Sequence, residues 1–163
     1  MNLYLLVEGK STEKKVYPAW IEYLLPQMSE VKQPNLANDN NYFIISGHGY
    51  PSILNVLKTS VLEINELQNF DYLILCLDSD ENSVEEMRES VEKFINNEGI
   101  APSDFEMEII VQHRCFETWL LGNRRIFTHN PNSHPFIEYV QFYNVKENDP
   151  EFMGKYTGFT THS

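Results

Sequence analysis

Two uninterrupted apolar runs, each closed by an acid, constrain the fold of this 163-residue chain most strongly. The run LYLLV (Leu3–Val7) is followed directly by Glu8, and the run YLILCLD (Tyr72–Asp78) ends in an aspartate. Runs of this kind, without alternation of apolar and polar residues, are typical of parallel strands whose sheet is covered on both faces. The chain is therefore predicted to be an α/β protein in which carboxylates stand where buried strands end.

Further strands and helices alternate along the chain. Strands are predicted at 42–46 and 107–112, a loop at 31–41, and helices at 12–25, from Pro51 onward, at 83–99 and at 115–123. Ser83 and Glu86 form a capping-box pattern, and Gly99 is a stop signal. Pro18 predicts either a late start or a local kink in the first helix. This order predicts a doubly wound, mostly parallel, four-stranded sheet with helices on both faces.

The alternating pattern extends to residue 125, and residues 1–125 are predicted to form one domain. From 126 to 163 the sequence is polar and irregular, and no regular element is predicted there. This stretch is expected to be either an extension that lies on the core or part of a longer natural chain.

Gly9, Lys10 and Ser11 match the end of the phosphate-binding P-loop pattern GxxxxGK[ST]. That pattern needs an earlier glycine, and Tyr4 stands in its place. Residues 3–7 also read as a strand, which leaves no loop to wrap a phosphate. A P-loop ATPase is therefore disfavoured, and Glu8 becomes the residue whose role needs explaining.

Composition narrows the classes of function. The formal net charge is -12, from 24 acidic and 12 basic residues, which is the wrong sign for tight non-specific binding to a polyanion. Bound divalent cations or a basic partner would restore attraction for a nucleic acid. No membrane span or signal peptide is apparent, and Cys76 and Cys115 lack metal-type spacing. A soluble cytoplasmic protein with two reduced thiols is expected.

Acidic residues follow three of the predicted strands. Glu8 follows the first strand, Asp78 and Asp80 close the third, and Glu117 lies shortly after the fourth. Because parallel strands end at one edge, these side chains are expected to share a crevice there. Asp78 and Asp80 are two residues apart and would project to one side of an extended segment. Their oxygens suit a hard cation such as Mg²⁺ or Mn²⁺.

Each acid also has a purely structural interpretation. An aspartate at a strand end is often a turn former or a helix cap. Glu13 is suited to the first turn of a helix, where it would favour the helix dipole. Glu117 would be an ordinary exposed helix residue. These interpretations are weaker for the whole set, because acids at three strand exits would repel one another unless a cation or a proton neutralised them.

Two motifs resemble the TOPRIM domain of topoisomerases, primases and the overcoming-lysogenisation-defect (OLD) nucleases. They are VEGKSTEKKVYPAW, from residue 7 to 20, and LILCLDSDEN, from residue 73 to 82. In that family a glutamate after the first strand and a DxD after the third surround one or two divalent metals. The resemblance implies that Glu8, Asp78 and Asp80 are metal ligands and catalytic residues, with Glu13 and Glu117 as further ligands.

The resemblance implies a Mg²⁺- or Mn²⁺-dependent nuclease that hydrolyses phosphodiester bonds in DNA or RNA. Lys10 and Arg114 are candidates for stabilising developing charge, and His48 is a candidate acid or phosphate contact. Zinc-ribbon cysteines, a tyrosine-bearing strand-passage domain and an ATPase domain are missing from the sequence. An OLD-like effector of anti-phage defence is therefore expected, acting with an ATPase or other regulatory protein or as a homo-oligomer.

Two other classes of function remain open from the sequence. The same acidic edge would suit a non-catalytic TOPRIM-like module that binds a metal or a basic protein. A phosphoacceptor receiver domain also binds Mg²⁺ beside a strand-end aspartate. Receivers need an acidic pair after the first strand, whereas here one Glu8 is followed by Gly9.

Overall fold

The computed structural model describes residues 1–121 and 134–153, and its centre is an all-parallel sheet of five strands. The strands are β1 (Leu3–Val7), β2 (Ser29–Glu30), β3 (Asn41–Ser46), β4 (Tyr72–Asp78) and β5 (Glu106–Gln112). The helices are α1 (Glu13–Leu24), α2 (Ser52–Leu67), α3 (Val84–Glu98), α4 (Phe116–Leu121) and α5 (His134–Phe142). The prediction of an α/β protein with a parallel sheet is confirmed.

The strand order is β2-β3-β1-β4-β5, with β1 at the centre. Within β1, Val7 pairs with Ser46 of β3 on one side and with Cys76 of β4 on the other. The prediction of four strands was wrong by one, because β2 adds a two-residue edge strand through the pair Ser29 and Asn41. A strand this short has no periodicity that a sequence pattern could reveal.

Apolar side chains of the sheet face two separate cores. Tyr4 and Leu6 of β1 belong to a cluster with α2 and α3, whereas Leu5 and Val7 belong to a cluster with α1. Since successive side chains of a strand point to opposite faces, one continuous apolar run supplies both cores. The sheet is therefore covered on both faces, as its uninterrupted apolar strands predict.

Local signals place the helices that lead away from the sheet edge. Both hydrogen bonds of the predicted capping box form at α3, and Gly99 ends that helix with a φ of 62°. Gly is suited to this position because it adopts positive φ without a steric penalty. Helix α1 begins at Glu13 with Pro18 inside it, so the late start that was one of the expectations is not observed.

The C-terminal part contains more regular structure than the sequence predicts. Helix α5 and a 3₁₀ turn, Pro150–Phe152, lie in the stretch for which no element is predicted. The last two residues of the helix predicted at 115–123 fall outside the described residues. Among the described helices, none has both the length and the apolar character required to cross a bilayer.

Candidate active site at the carboxyl edge of the sheet

Four loops meet at the edge where the parallel strands end: residues 8–12 after β1, 47–51 after β3, 79–83 after β4 and 113–115 after β5. The chain passes from β1 to β2 and β3 on one side and later crosses to β4 on the other, so β1 is the point where the strand order reverses. Open α/β sheets bind ligands in the crevice at such a point. Glu8 and Asp78 stand at the ends of the two strands beside this crevice.

Glu8 connects, through hydrogen bonds, the chain segments at the carboxyl ends of β1, β3 and β4. Its Oε1 accepts a hydrogen bond from the backbone N–H of Tyr50 (3.1 Å), and its Oε2 accepts one from the backbone N–H of Asp78 (3.0 Å). Its own carbonyl oxygen accepts from the backbone N–H of Gly49 (3.1 Å). Both carboxylate oxygens therefore have a structural partner, which the sequence did not reveal because the partners are backbone groups of other loops.

Glu13 folds back over the turn that follows β1. Only 7% of the residue is exposed, and its Oε1 accepts the backbone N–H of Gly9 at 2.7 Å. A Cβ atom on residue 9 would lie 2.1 Å from Glu13 Oε2, well inside van der Waals contact. Glycine is thus the residue that lets the Glu13 carboxylate occupy this place beside Glu8.

Asp78 and Asp80 do not share one extended segment. Strand β4 ends at Asp78, Ser79 is fully buried, and Asp80 is exposed with a φ of 50°. The expectation that both carboxylates project to the same side assumed extended backbone, and the left-handed conformation of Asp80 removes that basis. The backbone N–H of Asp80 instead donates to the carbonyl of Arg114 at 2.8 Å.

Arg114 joins the ends of β4 and β5 to the C-terminal part of the chain. Its φ is 60°, and its backbone N–H donates to Ser79 Oγ at 2.8 Å. Its side-chain Nε donates to the carbonyl oxygen of Glu151, also at 2.8 Å. The guanidinium predicted to stabilise charge on a substrate is thus anchored at Nε by a protein carbonyl.

Strained backbone is concentrated at this edge. Of the five described non-glycine residues with positive φ, three lie on its loops, namely His48, Asp80 and Arg114. Such conformations cost of order 1–3 kcal/mol each and persist where the surrounding structure fixes them. Here the hydrogen bonds between loops do so, which is consistent with a pre-organised site.

A buried polar group lies beneath the acids. Gln112, only 2% exposed, donates from Nε2 to the hydroxyl of Tyr17 at 2.7 Å. Burial raises the pKa of the Cys76 thiol to about 11; the charges of Glu13 and Asp78 also raise it, whereas a hydrogen bond with Tyr17 lowers it.

Burial likewise raises the pKa of the Tyr17 hydroxyl, with smaller contributions from Cys76, Glu13 and Asp78. The charges of Glu13 and Asp78 therefore act on both Tyr17 and Cys76. The sequence analysis did not identify Tyr17 or Gln112 as part of the site. The one signal in the sequence was that Gln112, a polar residue, stands at the buried end of an apolar strand.

The remaining predicted residues are less constrained. Lys10 and His48 are exposed on the loops after β1 and β3. Glu117 belongs to α4, but its side chain is outside the described residues. Within 1–121 and 134–153, no three His, Cys, Asp or Glu side chains are grouped closely enough to hold a metal ion. Glu8, Glu13 and Asp78 thus lie in the same region of the edge, but they do not form a preformed metal-binding site.

Comparison with known proteins found no matching family model, no matching curated protein and no matching solved structure. The geometry of the carboxyl edge is therefore the basis for any statement about function.

Proposed function

We propose that this chain is a Mg²⁺- or Mn²⁺-dependent nuclease of TOPRIM-like architecture that hydrolyses phosphodiester bonds in DNA or RNA. The observation that carries the proposal is the meeting of Glu8, Glu13 and Asp78 around the point where the strand order reverses. Three like charges in one neighbourhood favour the binding of a cation. In the described residues, neither Glu8 nor Glu13 forms an ion pair.

The donor set fits a hard cation in its chemistry. Mg²⁺ prefers carboxylate oxygens and is commonly held by one or two of them together with water and phosphate oxygens. A carboxylate has about four lone-pair sites, so the single N–H at each oxygen of Glu8 leaves acceptor capacity. One or two of Glu8, Glu13 and Asp78 would hold the ion together with water and phosphate oxygens, and Asp80 on the loop after β4 is a further candidate ligand.

Each protein group has a distinct task in this proposal. A bound cation would supply an activated water and stabilise the leaving oxygen. Asp78 would hold the position of the ion, and Glu8 would either share in this or accept a proton from water. Lys10, exposed on the loop after Glu8, would neutralise charge on the phosphate. Asp80 stands on the loop after β4, where its backbone N–H donates to the carbonyl of Arg114.

The experiment that tests the proposal is incubation of the purified chain with labelled single- and double-stranded DNA and RNA. Parallel reactions contain Mg²⁺, Mn²⁺ or a chelator. We expect cleavage only with metal, and its loss in Asp78→Asn. The matched control is Glu92→Gln, which removes an exposed acid on α3 and should cleave like the parent. Cleavage that survives in Asp78→Asn, or none with any substrate, would contradict the proposal.

A second candidate function is a non-catalytic module that binds a metal or a basic protein. Both oxygens of Glu8 are engaged by backbone N–H groups, which is a structural use of that residue. A module of this class would bind Mg²⁺ or Mn²⁺, or a basic protein, and leave every nucleic acid intact. Calorimetric titration with each metal, run beside the cleavage assay, separates the two candidates.

The charge of the chain also suggests that the nuclease acts with a partner or as an oligomer, as expected of a defence effector. Residues 1–121 carry 20 acidic and 8 basic side chains. The little affinity for nucleic acid that remains is electrostatic and is screened by salt. Cleavage by the isolated chain should therefore fall steeply as NaCl rises, and salt-insensitive cleavage of plain duplex DNA would argue for a self-sufficient enzyme.

A further inference from the structure

A buried hydrogen bond between two side chains links the first helix to the end of the last strand. Gln112 is 2% exposed at the end of β5, and its Nε2 donates to the hydroxyl of Tyr17 on α1 at 2.7 Å. The three residues before it, 109–111, are apolar. Two apolar groups of the same shape can replace a buried hydrogen-bonded pair at almost no cost in stability. The pair therefore has another use, which its position suggests.

At one end of this link, Gln112 is the strand neighbour of Asp78. The two residues are partners in the register of β4 and β5, and the backbone carbonyl of Gln112 accepts the N–H of Ser79 at 2.9 Å. Because side chains alternate between the faces of a sheet, Asp78 lies on the same face as Cys76, which packs in the cluster with α1. Asp78 thus stands on the face that α1 covers, beside Gln112.

At the other end of the link, Tyr17 lies one turn after Glu13 on α1. Residues four apart share one face of an α-helix, so the two side chains are neighbours. Glu13 is 7% exposed. The hydrogen bond between Tyr17 and Gln112 therefore connects the helix turn that carries Glu13 to the strand end that carries Asp78.

The ring of Tyr17 is held in place independently of its hydroxyl. Its centroid lies 5.5 Å from the ring centroid of Trp20 and 5.5 Å from that of Phe116. Phe116, the first residue of α4, is fully buried. A phenylalanine in place of Tyr17 would keep these ring contacts and would lose only the hydroxyl. The hydroxyl is thus not required for the packing of α1 against α4.

We propose that Tyr17 and Gln112 are positioning residues, which fix the carboxylates of Glu13 and Asp78 relative to each other for the binding of one divalent cation. Mg²⁺ requires near-ideal geometry from its oxygen ligands, so small displacements of these carboxylates lower its affinity. Groups that orient metal ligands without touching the metal commonly change its affinity about 10- to 100-fold. This inference rests on the proposed function for the presence of the cation.

The test measures Mg²⁺ affinity separately from cleavage. Calorimetric titration with Mg²⁺ and urea unfolding are carried out on the parent, on Tyr17→Phe and on the double variant Tyr17→Phe, Gln112→Met. The matched control is Tyr4→Phe. This change also removes a buried tyrosine hydroxyl, but one that bonds Glu63 and Ser60 and belongs to the core on the opposite face of the sheet.

We expect Tyr17→Phe to weaken Mg²⁺ binding about tenfold. It should also be less stable than the parent, because the amide of Gln112 loses its acceptor. In the double variant two apolar side chains meet, so its stability should return nearly to that of the parent while Mg²⁺ binding stays weak. Tyr4→Phe should lose stability and bind Mg²⁺ like the parent. The double variant therefore separates positioning of the acids from stability of the fold.

The outcomes distinguish this inference from the proposed function. If the double variant binds Mg²⁺ as tightly as the parent, the pair is purely structural and the inference is overturned, whether or not the parent cleaves. Equal loss of Mg²⁺ affinity in Tyr4→Phe would overturn it too, because any loss of stability would then have this effect. If the variants of Tyr17 bind Mg²⁺ weakly but the parent cleaves no nucleic acid, the inference stands and the nuclease proposal fails. A parent that binds no Mg²⁺ would overturn both.

Discussion

The two residues that flank β1 do the same structural work at opposite edges of the sheet, with different chemistry. Asn2, before the strand, is 4% exposed; its Nδ2 donates to the carbonyls of Asn38 (3.1 Å) and Asn69 (2.7 Å). Its Oδ1 accepts from the backbone N–H of Asn41 at 2.9 Å. Glu8, after the strand, accepts two backbone N–H groups. Each side chain holds neighbouring loops against the central strand through hydrogen bonds.

The difference between the two edges shows which chemistry is enough for a stable fold. A neutral amide satisfies its neighbours at the amino edge, where it both donates and accepts. At the carboxyl edge a full negative charge does similar work, with Glu13 and Asp78 nearby and three non-glycine residues at positive φ. A negative charge and a strained backbone that are not needed for folding are features of functional sites.

Acids also collect at the amino edge, but they are arranged differently. Asp71, Asp104 and Glu106 line a cavity of about 720 Å³ together with Met1. The N-terminal ammonium of Met1 lies 3.9 Å from Asp71 Oδ2, so a cation of the chain itself is present. This cavity lies where the strands begin, away from the crevice in which open α/β sheets bind ligands. We therefore assign it no role.

The largest change in stability is expected for Asn2→Ala. The substitution removes three partly buried hydrogen bonds, which should lower the free energy of unfolding by about 3 kcal/mol. Urea unfolding measures this, with Asn97→Ala on the exposed side of α3 as the matched control. Metal-dependent cleavage by the folded fraction should be unchanged. An Asn2→Ala variant that lost cleavage but kept the stability of the parent would contradict the purely structural role of the amino edge.

The second effect concerns alkaline pH and the buried thiol under the carboxyl edge. The pKa of Cys76 is raised to about 11, so the folded state resists its ionisation. Stability from this group is complete below the ordinary thiol pKa of about 8.5 and is lost as pH rises toward 11, by about 2 kcal/mol at pH 10. Cys76→Ala should remove that part of the decline between pH 8 and 10. Parallel curves for parent and variant would show that the thiol is not protected.

Much of the scaffold was predictable because its signals are local. The apolar runs of β1 and β4, the capping box of α3 and the stop at Gly99 are all readable from neighbouring residues, and the structure has them. Strand β2 was not predictable, since two residues carry no pattern. The helix α5 was also missed, although Pro135 in its first turn is a helix-start signal, because the stretch around it is polar.

The site was predictable only in outline. Strand polarity places Glu8 and Asp78 at one edge, and they are there. The two N–H groups on Glu8, the left-handed backbone of Asp80 and the hydrogen bond of Ser79 depend on how separate loops meet. No spacing in the sequence encodes such contacts. The roles of these residues in catalysis stay predictions.

A smaller effect is expected for Gly9→Ala, which probes how closely the carboxyl edge is built. The new Cβ would displace the Glu13 carboxylate and break its hydrogen bond to the backbone of residue 9, at a cost of about 1.5 kcal/mol. In a Glu13→Ala background the same change should cost almost nothing, because the obstructing side chain is gone. Urea unfolding of the four proteins measures the coupling, and additive costs would mean that Glu13 does not occupy this place.

The smallest change in stability, and the sharpest test of the comparison, is Glu8→Gln. Relief of repulsion from Glu13 and Asp78 alone would leave stability unchanged or raise it. A glutamine, however, has one carbonyl oxygen, so its Nε2 would face the backbone N–H of Tyr50 or of Asp78. The N–H group left without an acceptor costs more than the relieved repulsion contributes, and we expect a net loss of about 1 kcal/mol in urea unfolding. If Glu8 also holds the ion, Mg²⁺ should raise the melting temperature of the parent but not of this variant, and cleavage should disappear. A Glu8→Gln variant that melts at the temperature of the parent, is stabilised by Mg²⁺ and still cleaves would show that Glu8 neither holds the loops in place nor binds the ion. The contrast between Glu8 and Asn2 would then be refuted.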